Sequence, residues 1–185
     1  MKRVPDERLG VDLSDVSKTS PVTPNGWLAY GVALTAVGLD QLSKAWFIGA
    51  FHLPEGFSVP VIPPFLRLTA VMNRGVTFGL FRSEGGLAHW RLVAFAAVVV
   101  GALAWWARTA ERRLTAIALG LVMGGALGNN LIDRIHRGYV TDFIDVSGIG
   151  FFPWVFNVAD VLIDVGIGLL LLDVLRAQPK PAAAT

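Results

Sequence analysis

The side chains best equipped for chemistry in this 185-residue sequence are carboxylates and carboxamides. Asp40, Asp133, Asp142, Asp145, Asp160 and Asp164 are accompanied by Gln41, Asn73, Asn130 and Asn157, with Lys44 and Arg134 as cationic neighbours. Two carboxylates held close share one proton, because both cannot ionise cheaply, and such a pair can activate water as base and acid. Other hydrolytic centres lack their parts. No His-Glu-x-x-His occurs and His52, His89 and His136 are scattered, which argues against a zinc protease. Ser43, Ser58, Ser83 and Ser147 stand in no Gly-x-Ser-x-Gly, and no Gly-x-x-x-x-Gly-Lys phosphate loop is present. Without cysteine there is no thiolate nucleophile, thiolate metal site or disulfide. The expected chemistry needs neither metal nor cofactor.

The elements that must position these groups are membrane helices. Hydrophobic residues make up 54% of the chain and charged residues 16%, against roughly a quarter charged in soluble domains. Apolar runs of about 20 residues, the length that crosses a bilayer, fall near 26–50, 90–108, 114–132 and 157–176. The first follows Lys2, Arg3 and Arg8, but it is too long for a signal peptide and no small-residue cleavage site follows. The sequence therefore predicts one four-span domain over 26–178, a mobile polar tail over 1–25 and a disordered tail over 179–185.

Basic residues give the orientation. Lys2, Arg3, Arg8, Lys18, Arg108, Arg112, Arg113, Arg176 and Lys180 flank one side, and Arg67, Arg74, Arg82, Arg134 and Arg137 the other. Both termini are expected in the cytoplasm. The net charge of +2 comes with no basic patch interleaved with aromatics, so nucleic acid is not an expected partner. Between the first two spans, Phe65–Met72 alternates partly with period two, which predicts short strands in a small extracytoplasmic cradle.

On this topology the polar groups converge at one membrane face, whichever way the chain is inserted. Ionisable residues at membrane depth are functional candidates by default. Each group also has a plainer reading. Asp40 and Lys44, spaced i,i+4, can simply neutralise each other, and Asn157 with Asp160 can be a helix cap. Gly124, Gly125 and Gly128 suit close helix packing.

The ordered motifs Asp40-Gln-Leu-Ser-Lys44, Asn73-Arg-Gly-Val-Thr-Phe-Gly79, Gly124-Gly-Ala-Leu-Gly128, Asn130-Leu-Ile-Asp-Arg134, Gly138-Tyr-Val-Thr-Asp-Phe143 and Phe156-Asn-Val-Ala-Asp160 closely resemble lipoprotein signal peptidase, also called signal peptidase II. The resemblance runs from about 27 to 175. It implies an aspartic endopeptidase of the bacterial inner membrane, acting at the extracytoplasmic face. Such an enzyme removes the signal peptide from diacylglyceryl-modified prolipoproteins, cutting before the lipidated cysteine. By motif position it makes Asp142 and Asp160 the catalytic pair. Asn73, Gly75, Asn130, Arg134 and Asn157 would bind substrate, with Asp40, Lys44 and Asp133 in support. Membrane lipid and a globomycin-type inhibitor are the further partners implied, and no oligomeric state follows.

Two departures from the family pattern stand out: Val76-Thr77 replaces an alanine pair, and Asn129-Asn130 replaces a single asparagine. Counting back from Asp133 assigns the site role to Asn130, with Asn129 as the alternative. A competing function is a small ion or proton transporter using the carboxylates as a relay. A non-catalytic scaffold is a third.

Overall fold

The computed structural model describes residues 22–75, 86–150 and 154–176. Most of the first tail, the whole of the second, and Val76-Thr77 lie outside the described residues. Helix α1 spans Pro24–Phe51. Thr23 caps it by accepting from the Gly26 N–H, Pro24 supplies the fixed φ that suits a first turn, and His52 closes it in a left-handed conformation. Helix α2 spans Gly86–Ala107, and α3 spans Arg113–Ala126. From α3 the helix continues through a π-helical stretch, Leu127–Asp133, into α4, Arg134–Arg137. Helix α5 spans Val158–Arg176.

Helix α3 is central, packed against α1, α2 and α5. Mostly small residues make this contact: Ala29, Ala33 and Ala116 are buried in it, with Leu119 and Met123 as the larger members. A Cβ on Gly124 would collide with Ala36 Cβ and the Ala33 carbonyl, so glycine there sets how closely α1 and α3 approach. Large apolar side chains point outward instead, including Leu34, Phe95, Val98 and Leu175. This arrangement, small inside and large outside, suits helices whose surroundings are themselves apolar.

The apolar stretches His89–Ala107 and Arg113–Arg137 are long and apolar enough to cross a membrane. Helices α1 and α5 fall short of that composition. The reason is their polar cargo: Asp40, Gln41 and Lys44 in α1, and Asp160, Asp164 and Asp173 in α5. At one end of the bundle, Thr23 N–H donates to Arg108 O at 3.0 Å, Thr23 Oγ1 to Ala110 O at 2.8 Å and Asn25 Nδ2 to Glu111 O at 2.6 Å. The start of α1 thereby satisfies carbonyls left over where α2 ends.

At the other end lies an antiparallel sheet in the order β1 (Ser58–Ile62), β2 (Leu66–Asn73), β3 (Val140–Asp145), β4 (Val155–Phe156). The expected cradle is therefore not confined to the segment between the first two helices. Its second half comes from the connection between α4 and α5, where the carboxylates of Val-Thr-Asp-Phe-Ile-Asp obscure a strand. Gly138, with φ 78°, ends α4 in the left-handed region and turns the chain into β3. The sheet rests on α1 through Phe143, stacked on Phe47 with centroids 4.7 Å apart, in a cluster with Leu68 and Ala70.

Candidate active site

Strand alternation decides which carboxylate of β3 reaches the site. Phe143 faces α1, so Asp142 faces the opposite way, paired across the ladder with Val71. Asp145, three residues on, falls on the other face. There its carboxylate accepts from Thr69 Oγ1 at 2.6 Å and from Ser147 N–H at 2.9 Å. Burial pushes the Asp145 carboxyl up, but the Ser147 and Thr69 bonds outweigh it and hold the group below the usual range.

Asp142 meets Asp160, from the first turn of α5, at a cavity of about 630 Å³. Three asparagines orient the two carboxylates. Asn73 Nδ2 donates to Asp142 Oδ2 at 3.1 Å, and Asn157 Nδ2 donates to Asp142 Oδ1 at 2.6 Å. Asn129 Nδ2 donates to Asp160 Oδ1 at 2.7 Å. Each amide has its carbonyl oxygen already taken: by Gly75 N–H for Asn73, Asp160 N–H for Asn157 and Lys44 Nζ for Asn129. With the acceptor end occupied, only the NH₂ end is left to face a carboxylate.

The cap and site readings of Asn157 turn out to be compatible. Asn157 Oδ1 accepts the Asp160 N–H at 3.2 Å, and Asp160 Oδ2 accepts the Asn157 N–H at 3.0 Å, a reciprocal capping box opening α5. The same asparagine then reaches Asp142.

Asp142 is raised to about 6. Burial is the main cause and the neighbouring Asp160 charge the second, partly offset by the Asn73 and Asn157 bonds and by Lys44.

Behind the carboxylates is a buried ionic cluster. Lys44 Nζ has three partners: Asp40 Oδ2 at 2.8 Å, Asp133 Oδ2 at 2.8 Å and Asn129 Oδ1 at 2.6 Å. One partner per ammonium proton leaves none unmet. Asp40 also accepts Ala159 N–H at 3.1 Å, which ties α1 to the start of α5. Asp133 is shared with Gln41 Nε2 at 2.9 Å and Arg137 Nη1 at 2.6 Å. Asp40 and Lys44 do neutralise each other, but as part of the platform under Asp160.

Arg134 stands at the cavity's other edge. Its Nη2 donates to Gly75 O at 2.8 Å and its Nε to Asn130 Oδ1 at 3.3 Å, while buried Nη1 has no hydrogen-bond partner among the described residues. Asn130 and Arg134 also border an apolar groove of about 490 Å³ between α2 and α3, lined by Leu92, Phe95, Ala96 and Val99. Among the described residues no three His, Asp or Glu side chains converge as metal ligands.

All ten residues to which the resemblance gives a role lie in this constellation, whereas Asp145, also named among the carboxylates, faces away from it. Arg137 was not singled out from the sequence as a site residue, Gln41 was named among the polar groups without a role, and Asn129 stood only as the alternative to Asn130. Arg137 could have been found from its i,i+4 spacing to Asp133. Counting residues could not choose Asn129 over Asn130, because it cannot reveal a π turn.

The geometry agrees with what the chain resembles. Residues 32–176 match the family model of signal peptidase II. The lipoprotein signal peptidase of Caulobacter vibrioides is 50% identical over 152 residues, covering 82% of this chain and 89% of that one. That of Methylorubrum extorquens is 45% identical over 148 residues, covering 80% and 85%. A bacterial membrane enzyme solved by the in meso method at 2.3 Å superposes with a TM-score of 0.69 at 28% identity, over 83% of this chain and 93% of that one. By sequence and by fold, the chain belongs to the signal peptidase II family of peptidases.

Proposed function

We propose that the protein is an aspartic endopeptidase that removes the signal peptide from diacylglyceryl-modified prolipoproteins, cutting before the lipidated cysteine. The observation that carries this is the joint hold of Asn157 on Asp142 and Asp160 at one cavity. Asp142 and Asp160 are the catalytic pair. One carboxylate deprotonates the attacking water while the other, protonated, polarises the scissile carbonyl. The roles then reverse, and the leaving amine takes the proton. The raised Asp142 helps the pair to keep that shared proton up to about pH 6.

The remaining groups bind and position. Arg134 lines the cavity together with Asn73, Gly75 and Asn130 and serves a substrate carbonyl there. Asp40, Lys44 and Asp133 form the platform. The adjoining apolar groove suits an apolar portion of the substrate.

In this reading four helices, α1, α2, α3 with its continuation, and α5, cross the bacterial inner membrane. Both termini are cytoplasmic, the site opens at the extracytoplasmic face, and 1–25 and 179–185 flank a single membrane domain. Lipid surrounds the helices, and a globomycin-type inhibitor competes for the cavity. The relay transporter gains no support: the carboxylates gather at one end of the bundle, and Asp173 at the other is held by Arg112 and Thr115.

The test is cleavage of a purified diacylglyceryl-modified prolipoprotein, followed by gel mobility. Asp142→Asn and Asp160→Asn proteins of equal folding should each lose activity by about 100-fold or more. Near-normal cleavage by either variant would remove that residue from the pair, and an inactive wild type would overturn the substrate assignment.

A further inference from the structure

An irregular helical turn lies inside the site. Leu127–Asp133 is π-helical between two α-helical segments, and a π turn accommodates one residue more than the α turn it replaces. It coincides with Asn129-Asn130, where the resembled motif has a single asparagine. The wider turn lets two adjacent side chains serve different neighbours. Asn129, only 4% exposed, accepts from Lys44 Nζ and donates to Asp160 Oδ1. Asn130 accepts from Arg134 Nε and borders the apolar groove.

We propose that Asn129 is a positioning residue for the carboxylate pair, linking the buried Lys44 ammonium to Asp160, while Asn130 serves the substrate side through Arg134. The division of labour rests on the aspartic reading above. Lys44 has all three protons engaged, none of them by Asp160. The Asn129 amide is therefore the hydrogen-bonded intermediary, its carbonyl polarised by the ammonium and its NH₂ strengthened as a donor in return. A donor on the ionised carboxylate favours that form, keeping Asp160 able to act as the base.

The charged groups facing Asp160 are Asp142 from β3, Lys44 and Asp40 from α1, and Asp164 one turn along α5. Asp133 lies behind Lys44, and Arg134 faces Asp142. Asn129 is the neutral group among them that touches both the ammonium and the carboxylate.

The test is the pH dependence of kcat and KM for the full chain in detergent with diacylglyceryl-modified prolipoprotein, alongside thermal unfolding. Asn129→Asp keeps an acceptor for Lys44, so it retains the fold. It loses the donor to Asp160 and adds a negative charge beside it. Its acid limb should move up by about one pH unit and its kcat fall about tenfold or more, with KM within about twofold. Asn129→Ala should shift the limb the same way by less. Asn130→Ala should raise KM several-fold and leave the limb in place.

If both Asn129 variants superpose on the wild-type profile, the proposal is overturned. An Asn129→Asp protein that melts early with an unmoved limb, or does not fold, makes Asn129 structural only and also overturns it. Failure of the aspartic reading itself would appear separately, as activity retained by Asp142→Asn or Asp160→Asn.

Discussion

Asn157 holds Asp142 Oδ1 through its side-chain amide at 2.6 Å while its own carbonyl oxygen caps α5 at the Asp160 N–H. One residue thus fixes a strand carboxylate relative to a helix carboxylate. Asn157→Ser keeps a cap acceptor, but its shorter hydroxyl does not replace the amide donor that reaches Asp142; Asn157→Ala loses both. Both variants should cleave at least about tenfold more slowly, and the alanine protein should be the less stable by about 1 kcal/mol. A serine variant with wild-type turnover would reduce Asn157 to a cap.

The raised Asp142 sets a pH window. Its proton is retained up to about pH 6, above which both carboxylates ionise and the acid partner is lost. The rate of cleavage should therefore fall as pH rises through about 6, with an apparent value belonging to the pair. Linkage has the same sign. Because the folded value exceeds the unfolded one, the Asp142 contribution to stability is fully present below about pH 4 and lost as pH rises through about 6. A basic limb independent of Asp142 substitution would contradict this.

Lys44 is the cluster's central cation. Lys44→Met leaves Asp40 without its cation and should destabilise the fold by about 3–5 kcal/mol. The double variant Asp40→Asn with Lys44→Met should recover part of that loss, because Asp133 keeps Arg137. Thermal unfolding of the three proteins in detergent gives the comparison, and no recovery in the double variant would count against the ionic account.

Gly128 makes room for the Asp40 carboxylate, into which a Cβ would run. Gly128→Ala should destabilise by about 1–3 kcal/mol. Gly31→Ala, on a face of α1 with no heavy atom near the added methyl, should stay within about 0.5 kcal/mol of wild type. Equal melting of the two variants would remove this packing argument.

The parts legible in the sequence are those with a period. Apolar runs locate the four long helices to within a few residues, and alternation over Phe65–Met72 finds β2. β3 was hidden because it is buried on both faces, so its sequence does not alternate, and its acidic residues read as a solvated loop. Asp142 and Asp145 are alike as residue types; only their placement on opposite faces of a strand separates site from scaffold. The π turn is illegible for a related reason. The doubled asparagine is visible in the sequence, but one added residue barely alters helical hydropathy and does not say which side chains then face inward, so Asn130 was preferred and Asn129 kept as the alternative.

The sheet joins β2, which follows α1, to β3 and β4, which precede α5, and Asp40 binds the Ala159 amide 119 positions later in the chain. During synthesis, then, no early portion holds a working centre. Asp142 has its Asn157 partner, and Asp160 its place above Lys44, only when the last helix has joined the first. With Asp142 and Asp160 as the proposed pair, a chain built in this order has no complete centre until α5 is in place.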